Sequence, residues 1–269
     1  MCQAELDPVG KRVIMTAMSQ TEINIGLRFE ASLLRHGIRW VLFCMAVLGF
    51  TRNIVVAQKV DPDKEPMYGQ PGIERPENLK KADEAFVRDA TLKFGNRLAA
   101  SRIMAAQGWT AMRSRNLDLA IERFNQSWLL NPKNYQAFWG FAAVLSARGK
   151  LREAIEQLGM ARELIDEPAQ MNALLSDAGA VNSEYAAHLP PDKELERAHY
   201  FVAANQAFSE SLDRDPNYAA GWREWAISLY QQQRYSEAWV KAKRARELNA
   251  EPFPPHFLEI LQKKMADLK

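Results

Sequence analysis

Few residues of this sequence have the types and spacing that metal binding or catalysis requires. The histidines and cysteines are His36, His188, His199, His256, Cys2 and Cys44. No histidine belongs to an H-x-x-x-H motif or to another His/Asp/Glu spacing that forms a metal site. Both cysteines precede residue 58, so the rest of the chain cannot hold a disulfide or a cysteine-based metal site. We therefore predict no metal, no cofactor and no catalytic residues.

One enzymatic alternative remains, because His188 and His199 flank the loop Leu189–Asp192 and could approach each other. No third ligand accompanies them, and the sequence contains no G-x-S-x-G motif and no phosphate-binding glycine loop. We interpret the two histidines as solvated or helix-capping side chains.

The composition is typical of a globular protein, with 47% hydrophobic and 25% charged residues over 269 positions. Six of the 35 basic residues and four of the 33 acidic residues lie in residues 1–57, so the remainder of the chain is neutral. Nucleic-acid binding normally requires a surplus of Lys and Arg to neutralise phosphates. We therefore predict no nucleic-acid partner, and no pattern indicates a small-molecule substrate.

Residues 1–57 have the features of an export leader. An uncharged run of eleven residues, Trp40–Phe50, follows Arg35 and Arg39. Eleven helical residues span about 16 Å, roughly half of a hydrocarbon core. A short apolar run behind positive charges, followed by the small-residue sequence ending at Ala57, is typical of a signal peptide. We predict cleavage after Ala57 and a bacterial periplasmic or secreted protein.

The alternative is an uncleaved leader that anchors the protein in the inner membrane. An anchor of full length would extend to Ala57 and would place Arg52 in the apolar slab, at a cost of a few kcal/mol. The region before the run is also longer than in most signal peptides, and initiation at Met15 or Met18 would shorten it. Contact with a membrane is predicted only if the leader is retained.

Residues 58–78 are predicted to form a linker. Four prolines lie in this stretch, and prolines at this density prevent a helix and favour an extended tether. Its apolar part, Met67–Gly69, is interpreted as packing back on the domain that follows. That domain is predicted to cover residues 79–269.

An alanine recurs along this domain at intervals of 34, 50 and 34 residues. The four positions are Ala120, Ala154, Ala204 and Ala238. Each is followed four residues later by Phe, Leu or Ala and seven residues later by Ser or Ala, which places the three side chains on one face of a helix. The larger residues Trp109, Phe138, Trp139, Phe141, Trp222, Trp225 and Tyr230 lie before or between these segments. We predict two helices in each 34-residue unit.

The 34-residue unit of two helices resembles the tetratricopeptide repeat. The copy at 101–134 has the family's residues at Gly108, Ala120, Phe124 and Pro132, although Met104 replaces the Trp. The copy at 219–252 matches at Trp222, Trp225, Ala226, Leu229, Ala238, Ala242 and Ala245. The copy at 135–168 has Asp166 where the family has Pro. The copy at 171–218 departs most, because a loop is inserted between helices predicted at 169–188 and 194–213.

The resemblance implies an all-α fold, a right-handed α-solenoid of about four helix pairs. Leu79–Phe94 has apolar residues on one face and is predicted to cap one end. A second capping helix is predicted at 254–268, after two consecutive prolines. Capping helices of this kind cover the open ends of a solenoid.

The resemblance also implies that the first helices line a concave groove that binds a peptide or a protein partner. The second, fifth, ninth and twelfth places of each copy give the candidate binding residues. They include Arg102, Trp109, Met112, Gln136, Trp139, Asn182, Arg223 and Tyr230. The aromatic residues could anchor a partner's side chains, and the two arginines could bind carboxylates. For Trp109, Trp139 and Tyr230, packing between repeats is the alternative.

The basic clamp of chaperone-binding family members is not reproduced, because Ala105, Trp109, Gly140 and Asn172 stand at those places. We expect a non-enzymatic exported scaffold or adaptor that holds a partner in its groove, in envelope assembly or secretion. The alternative is a membrane-tethered structural subunit that acts by self-association.

Overall fold

The computed structural model describes residues 64–66 and 76–267, and these form ten α-helices without a β-strand. The all-α class predicted from the sequence is confirmed. The helices are α1 (Glu77–Phe94), α2 (Arg97–Arg113), α3 (Leu117–Leu130), α4 (Tyr135–Ala147), α5 (Leu151–Leu164), α6 (Pro168–His188), α7 (Glu194–Arg214), α8 (Ala219–Gln231), α9 (Tyr235–Glu247) and α10 (Phe257–Ala266). The leader, its cleavage site and most of the linker lie outside the described residues.

The helices pack mainly with their neighbours in the chain. The pairs α2/α3, α4/α5, α6/α7 and α8/α9 have the most extensive contacts. The second helix of each pair also contacts the first helix of the next pair, and α2 packs on α4 as α6 packs on α8. At the two ends, α1 packs on α2, and α10 packs on α9.

The recurring alanines lie at equivalent places in the four pairs. Ala120, Ala154, Ala204 and Ala238 each have 0% of their surface exposed. The residue four positions later is also buried in every pair, from Phe124 in α3 to Ala242 in α9. The face predicted from the sequence is therefore the face that packs into the core.

The turns inside three of the pairs share one backbone geometry. Arg115, Gly149 and Gln233 have positive φ angles of 57°, 75° and 61°. In each turn the following N–H donates to the carbonyl five residues back, as in the Schellman ending of a helix. These residues are 34 and 84 residues apart, as are Ala120, Ala154 and Ala238. The turn inside each of these pairs therefore recurs at the same spacing as the buried alanines of the core.

A phenylalanine ring is held between the first two pairs. Phe124 on α3 is completely buried, and it faces Gly108 of α2 and Gly140 of α4. A Cβ atom built on Gly108 would lie 2.6 Å from the ring, and Gly140 is also too close to the ring to accept one. In the third pair, Gly179 has the same relation to Phe208, at 2.8 Å. Glycine at these places lets the helices approach each other around the ring.

The third pair is longer than the others. Both α6 and α7 have 21 residues, whereas α4, α5, α8 and α9 have 13 or 14. The extra residues of the 50-residue interval therefore mainly extend the two helices. The predicted loop at 189–192 is a short turn with a 3-10 helix at Pro191–Lys193. Arg197 donates to the carbonyls of Leu189 and Pro190 and holds this turn against α7.

Three residues of the predicted linker, Lys64, Glu65 and Pro66, pack on two successive pairs. The Lys64 Nζ lies 2.9 Å from Asp118 at the start of α3. The Glu65 carboxylate lies 2.8 Å from Lys150, in the turn between α4 and α5, and its carbonyl accepts from Asn125 of α3. Pro66 is buried. None of the helices in the described part of the chain is long and apolar enough to span a bilayer.

Candidate functional site

Trp139 is the predicted groove residue with the most specific polar contact. It lies on α4 with only 9% of its surface exposed, and its indole Nε1 donates to the Asp177 Oδ2 of α6 at 2.8 Å. Its ring meets Trp109 edge to face, with centroids 5.6 Å apart. Trp109 in turn packs edge to face on the buried Phe124, at 5.3 Å. The two tryptophans therefore join the core to the surface of the first helices.

A cleft of about 230 Å³ lies beside Trp139, between α4 and α6. Its lining consists of Trp139, Ala142, Ala143, Ser146, Leu158, Asp177, Ala180, Val181 and Glu184. The small residues of α4 and α6 leave this space open. The charged side chains that line it, Asp177 and Glu184, are both acidic. The cleft thus combines an aromatic wall with negative charge.

The Asp177 carboxyl has a strongly shifted pKa. Burial among the surrounding walls raises its pKa to about 6, the Trp139 hydrogen bond partly opposes this effect, and the charge of Glu224 adds to it. Asp177 is nevertheless an exposed residue, so solvent reaches it in the open cleft even though protein atoms surround its carboxyl group. A carboxylate that is partly desolvated without a neutralising partner is a common feature of functional sites.

Two groups on and beside α8 belong to the same electrostatic environment. Burial raises the pKa of Glu224, although the Arg223 charge opposes that rise. Burial, together with the charges of Asp177 and Glu224, raises the pKa of Tyr218 to about 12. Negative charge therefore extends from α6 to α8.

The predicted residues Arg223 and Tyr230 make internal contacts. The Arg223 guanidinium pairs with Glu224, donates to the Pro252 carbonyl at 3.1 and 3.2 Å, and lies 5.8 Å from the centre of the Phe253 ring. Tyr230 packs on Phe257 of α10 with ring centroids 5.4 Å apart. Both side chains join α8 to the C-terminal part of the chain.

The other four predicted residues lie in different environments. Arg102 is exposed on α2, and Met112 is partly buried against the core. The Gln136 amide donates to the Tyr135 hydroxyl at 3.2 Å. Asn182 is 9% exposed and donates to the Ala178 carbonyl. The structure therefore brings Trp109 and Trp139 together near the cleft, and it disperses the remaining residues.

Asn182 lines a second, larger cavity. This space of about 450 Å³ lies between α5, α6 and α7, and its walls are mainly Ile155, Leu158, Gly159, Leu174, Leu175, Ala178, Ala203 and Ala207. The ion pair Arg162–Glu210, at 2.7 Å, spans it. Trp139 and Asp177 do not line this cavity, and Leu158 lies in the walls of both spaces.

Asp177, Ala180 and Glu184 are cleft residues that sequence reasoning missed. Counting from Met171 gave Asn172, Leu175, Gly179 and Asn182 for α6, whereas Leu175 and Gly179 are buried. The sequence signal is the glycine that the first helices of the two copies share, Gly108 and Gly179, and in the structure both of these glycines pack on a Phe. Gly108 is the eighth residue of its copy. If Gly179 is also numbered as the eighth residue, the third copy begins at 172, and Ala180 becomes its ninth residue, which is one of the places predicted to line the groove.

The histidines make local contacts. The His188 Nδ1 lies 2.7 Å from the Glu184 carbonyl oxygen, and the His199 ring packs edge to face on Tyr200. Within residues 64–66 and 76–267, no three His, Cys, Asp or Glu side chains are grouped closely enough to hold a metal ion.

No protein-family model matches the sequence, and no curated protein is significantly similar to it. The function of the chain therefore has to be inferred from the cleft and the residues around it.

Proposed function

We propose that the chain is a non-enzymatic scaffold or adaptor of the tetratricopeptide-repeat type. Its four helix pairs form a right-handed solenoid with α1 and α10 as caps, and a peptide or protein segment of a partner binds along the first helices. The cleft beside Trp139 is the observation that carries this proposal. It is an open space with an aromatic wall and a partly desolvated carboxylate, on helices that the family uses for binding.

The repeated geometry supports the solenoid. A buried alanine, a turn residue with a positive φ angle and a glycine–phenylalanine contact each recur in several pairs. Contacts between α2 and α4, and between α6 and α8, place the first helices of neighbouring pairs side by side. Stacked helix pairs of this kind form extended binding surfaces.

Blocking the cleft tests the proposal. Ala143 is a half-buried cleft residue of α4, and Ala143→Arg would fill the space with a long side chain. Ala198→Arg makes the same substitution at an exposed site of α7 and serves as the matched control. Each full-length variant would be used to capture partners from envelope extract, with quantification by mass spectrometry.

We expect Ala143→Arg to lose a specific set of proteins that the wild-type chain and Ala198→Arg both retain. The reason is steric, since a filled cleft cannot accept a side chain of the partner. Equal recovery of the same proteins with all three chains, each folded by circular dichroism, would show that the cleft is not the binding site.

We further propose that the protein is exported and acts in the cell envelope, in assembly or secretion. The apolar run Trp40–Phe50 and the small residues ending at Ala57 support this location. Mass measurement of the native protein tests it, and we expect an amino terminus at Gln58. An intact leader would instead indicate a protein tethered to the inner membrane.

A further inference from the structure

The charge of the cleft indicates the chemistry of its occupant. Asp177 and Glu184 line it, Glu224 contributes further negative charge, and no residue of the described lining is basic. Arg223 is the basic residue next to Glu224. Its guanidinium is bound to Glu224 and to the Pro252 carbonyl, and not to Asp177. The negative charge at Asp177 is therefore not neutralised by an ion pair among the described residues.

The hydrogen bond from Trp139 orients the Asp177 carboxylate. Its Oδ2 accepts from the Trp139 indole, which is itself held by Trp109. The described contacts of Asp177 involve Oδ2, so its Oδ1 is available to a donor in the cleft. A carboxylate presented beside an indole ring matches a guanidinium group, which forms charge-assisted hydrogen bonds in its plane and stacks on aromatic faces.

The size of the cleft suits a single side chain. Its volume is about 230 Å³, below the 300–1,000 Å³ of pockets that enclose whole ligands. Small residues, Ala143 and Ala180 among them, provide an apolar path beside the carboxylates, along which the methylene groups of a long side chain can pack.

We propose that the cleft between α4 and α6 binds an arginine side chain of the partner, with Asp177 as the charge partner and Trp139 as the aromatic wall. This inference rests on the proposed function, because it names the chemistry of the segment that the groove receives. Glu184, which also lines the cleft, adds to the attraction.

Nuclear magnetic resonance titration of the full chain tests the inference. The Trp139 indole N–H is the reporter, and its signal is assigned with Trp139→Phe. The probes are N-acetyl-arginine amide, N-acetyl-lysine amide and the neutral isostere N-acetyl-citrulline amide. We expect a saturable shift with the arginine probe, a weaker one with the lysine probe and none with the citrulline probe.

Asp177→Asn is the decisive variant. The Asn carbonyl can still accept from Trp139, so the fold and the ring position are retained while the charge is lost. We expect about tenfold weaker binding of the arginine probe, as for the loss of one charge-assisted hydrogen bond. Asp213→Asn, at an exposed site of α7, is the matched control and should bind as the wild-type chain does.

The pH dependence gives a second readout. Asp177, with a pKa of about 6, is protonated below that pH, so the affinity of the wild-type chain should fall as the pH decreases from 7.5 to 5. Glu224 and Glu184 are the other acids near the site, and Tyr218 stays neutral in this range. In Asp177→Asn most of this dependence should be lost.

Two results would overturn the inference. One is equal binding of the citrulline and arginine probes, and the other is unchanged affinity in Asp177→Asn. If Ala143→Arg still abolishes partner capture in that case, the groove function stands and only the arginine assignment fails. If Ala143→Arg has no effect on capture, the proposed function itself fails.

Discussion

The fit of Phe124 between two glycines predicts that adding one methyl group to α4 destabilises the protein. In Gly140→Ala the new Cβ would overlap the ring of Phe124, which is completely buried and cannot move into solvent. Overpacking of this kind costs about 1–3 kcal/mol. Alanine regains about 0.8–1 kcal/mol over glycine in a helix interior. The expected net loss is therefore about 0–2 kcal/mol in the free energy of unfolding, and the overlap at Gly140, which is closer than that at Gly108, favours the upper part of this range.

Gly159→Ala is the matched control, since the same substitution is made in the interior of α5. Gly159 is exposed, and nothing lies within 4 Å of a Cβ atom built on it. Here only the helix preference acts, so the free energy of unfolding should rise by about 0.5–1 kcal/mol. The two variants should therefore shift the urea midpoint in opposite directions, as measured by circular dichroism.

A double-mutant cycle with Phe124→Leu isolates the contact. Leucine is smaller than phenylalanine, so Gly140→Ala should be much less harmful in that background, with a coupling energy of about 1 kcal/mol or more. If Gly140→Ala raises the midpoint as much as Gly159→Ala does, the ring is not confined by the glycine, and the explanation of the close helix approach is wrong.

Three further predictions concern a turn pair, a polar network and a carboxyl group. Gln233→Gly should raise the free energy of unfolding by about 0.5–1 kcal/mol, because glycine adopts the positive φ angle without strain, and Gly149→Ala should lower it by a similar amount. Asn134→Ala should lower it by about 2 kcal/mol, since the amide caps α4 and donates to two buried serines, and thermal unfolding would measure the loss. Asp177→Asn should stabilise the protein at pH 7, because the folded state raises the pKa of this carboxyl from 3.8 to about 6. The effect should decrease as the pH falls through 6 and disappear well below 3.8, where the carboxyl is protonated in both states, and urea melts at several pH values would test it. A stabilisation that is independent of pH would contradict the assigned cause.

The sequence was sufficient for the all-α class and for the identity of the buried helix face. Steps of four and three residues after Ala120 and its counterparts can be satisfied only by helices, and every one of these alanines is buried. The face of a helix that packs against its neighbour is set by the spacing of small and apolar residues along that helix, and this spacing can be read from the sequence.

The composition of the cleft was less accessible from the sequence. In α6 the tryptophans and tyrosines that mark the first helices elsewhere are absent from the predicted lining, so nothing fixed the rotation of the helix. Gly179 packs on Phe208, whereas the next residue of the helix, Ala180, faces in a different direction and lines the cleft. The pairing of Arg223 with Pro252 depends on a contact across 29 residues that no local pattern reports.

The segment Lys64–Pro66 has a consequence for cooperativity. It bonds both to α3 and to the turn that opens α5, so its full set of contacts exists only while two successive hairpins are both folded. In a linear array, interactions between neighbours decide whether units melt together or fray one at a time. These three residues strengthen that coupling at one junction, and a chain shortened to begin at residue 76 should unfold over a broader range of denaturant.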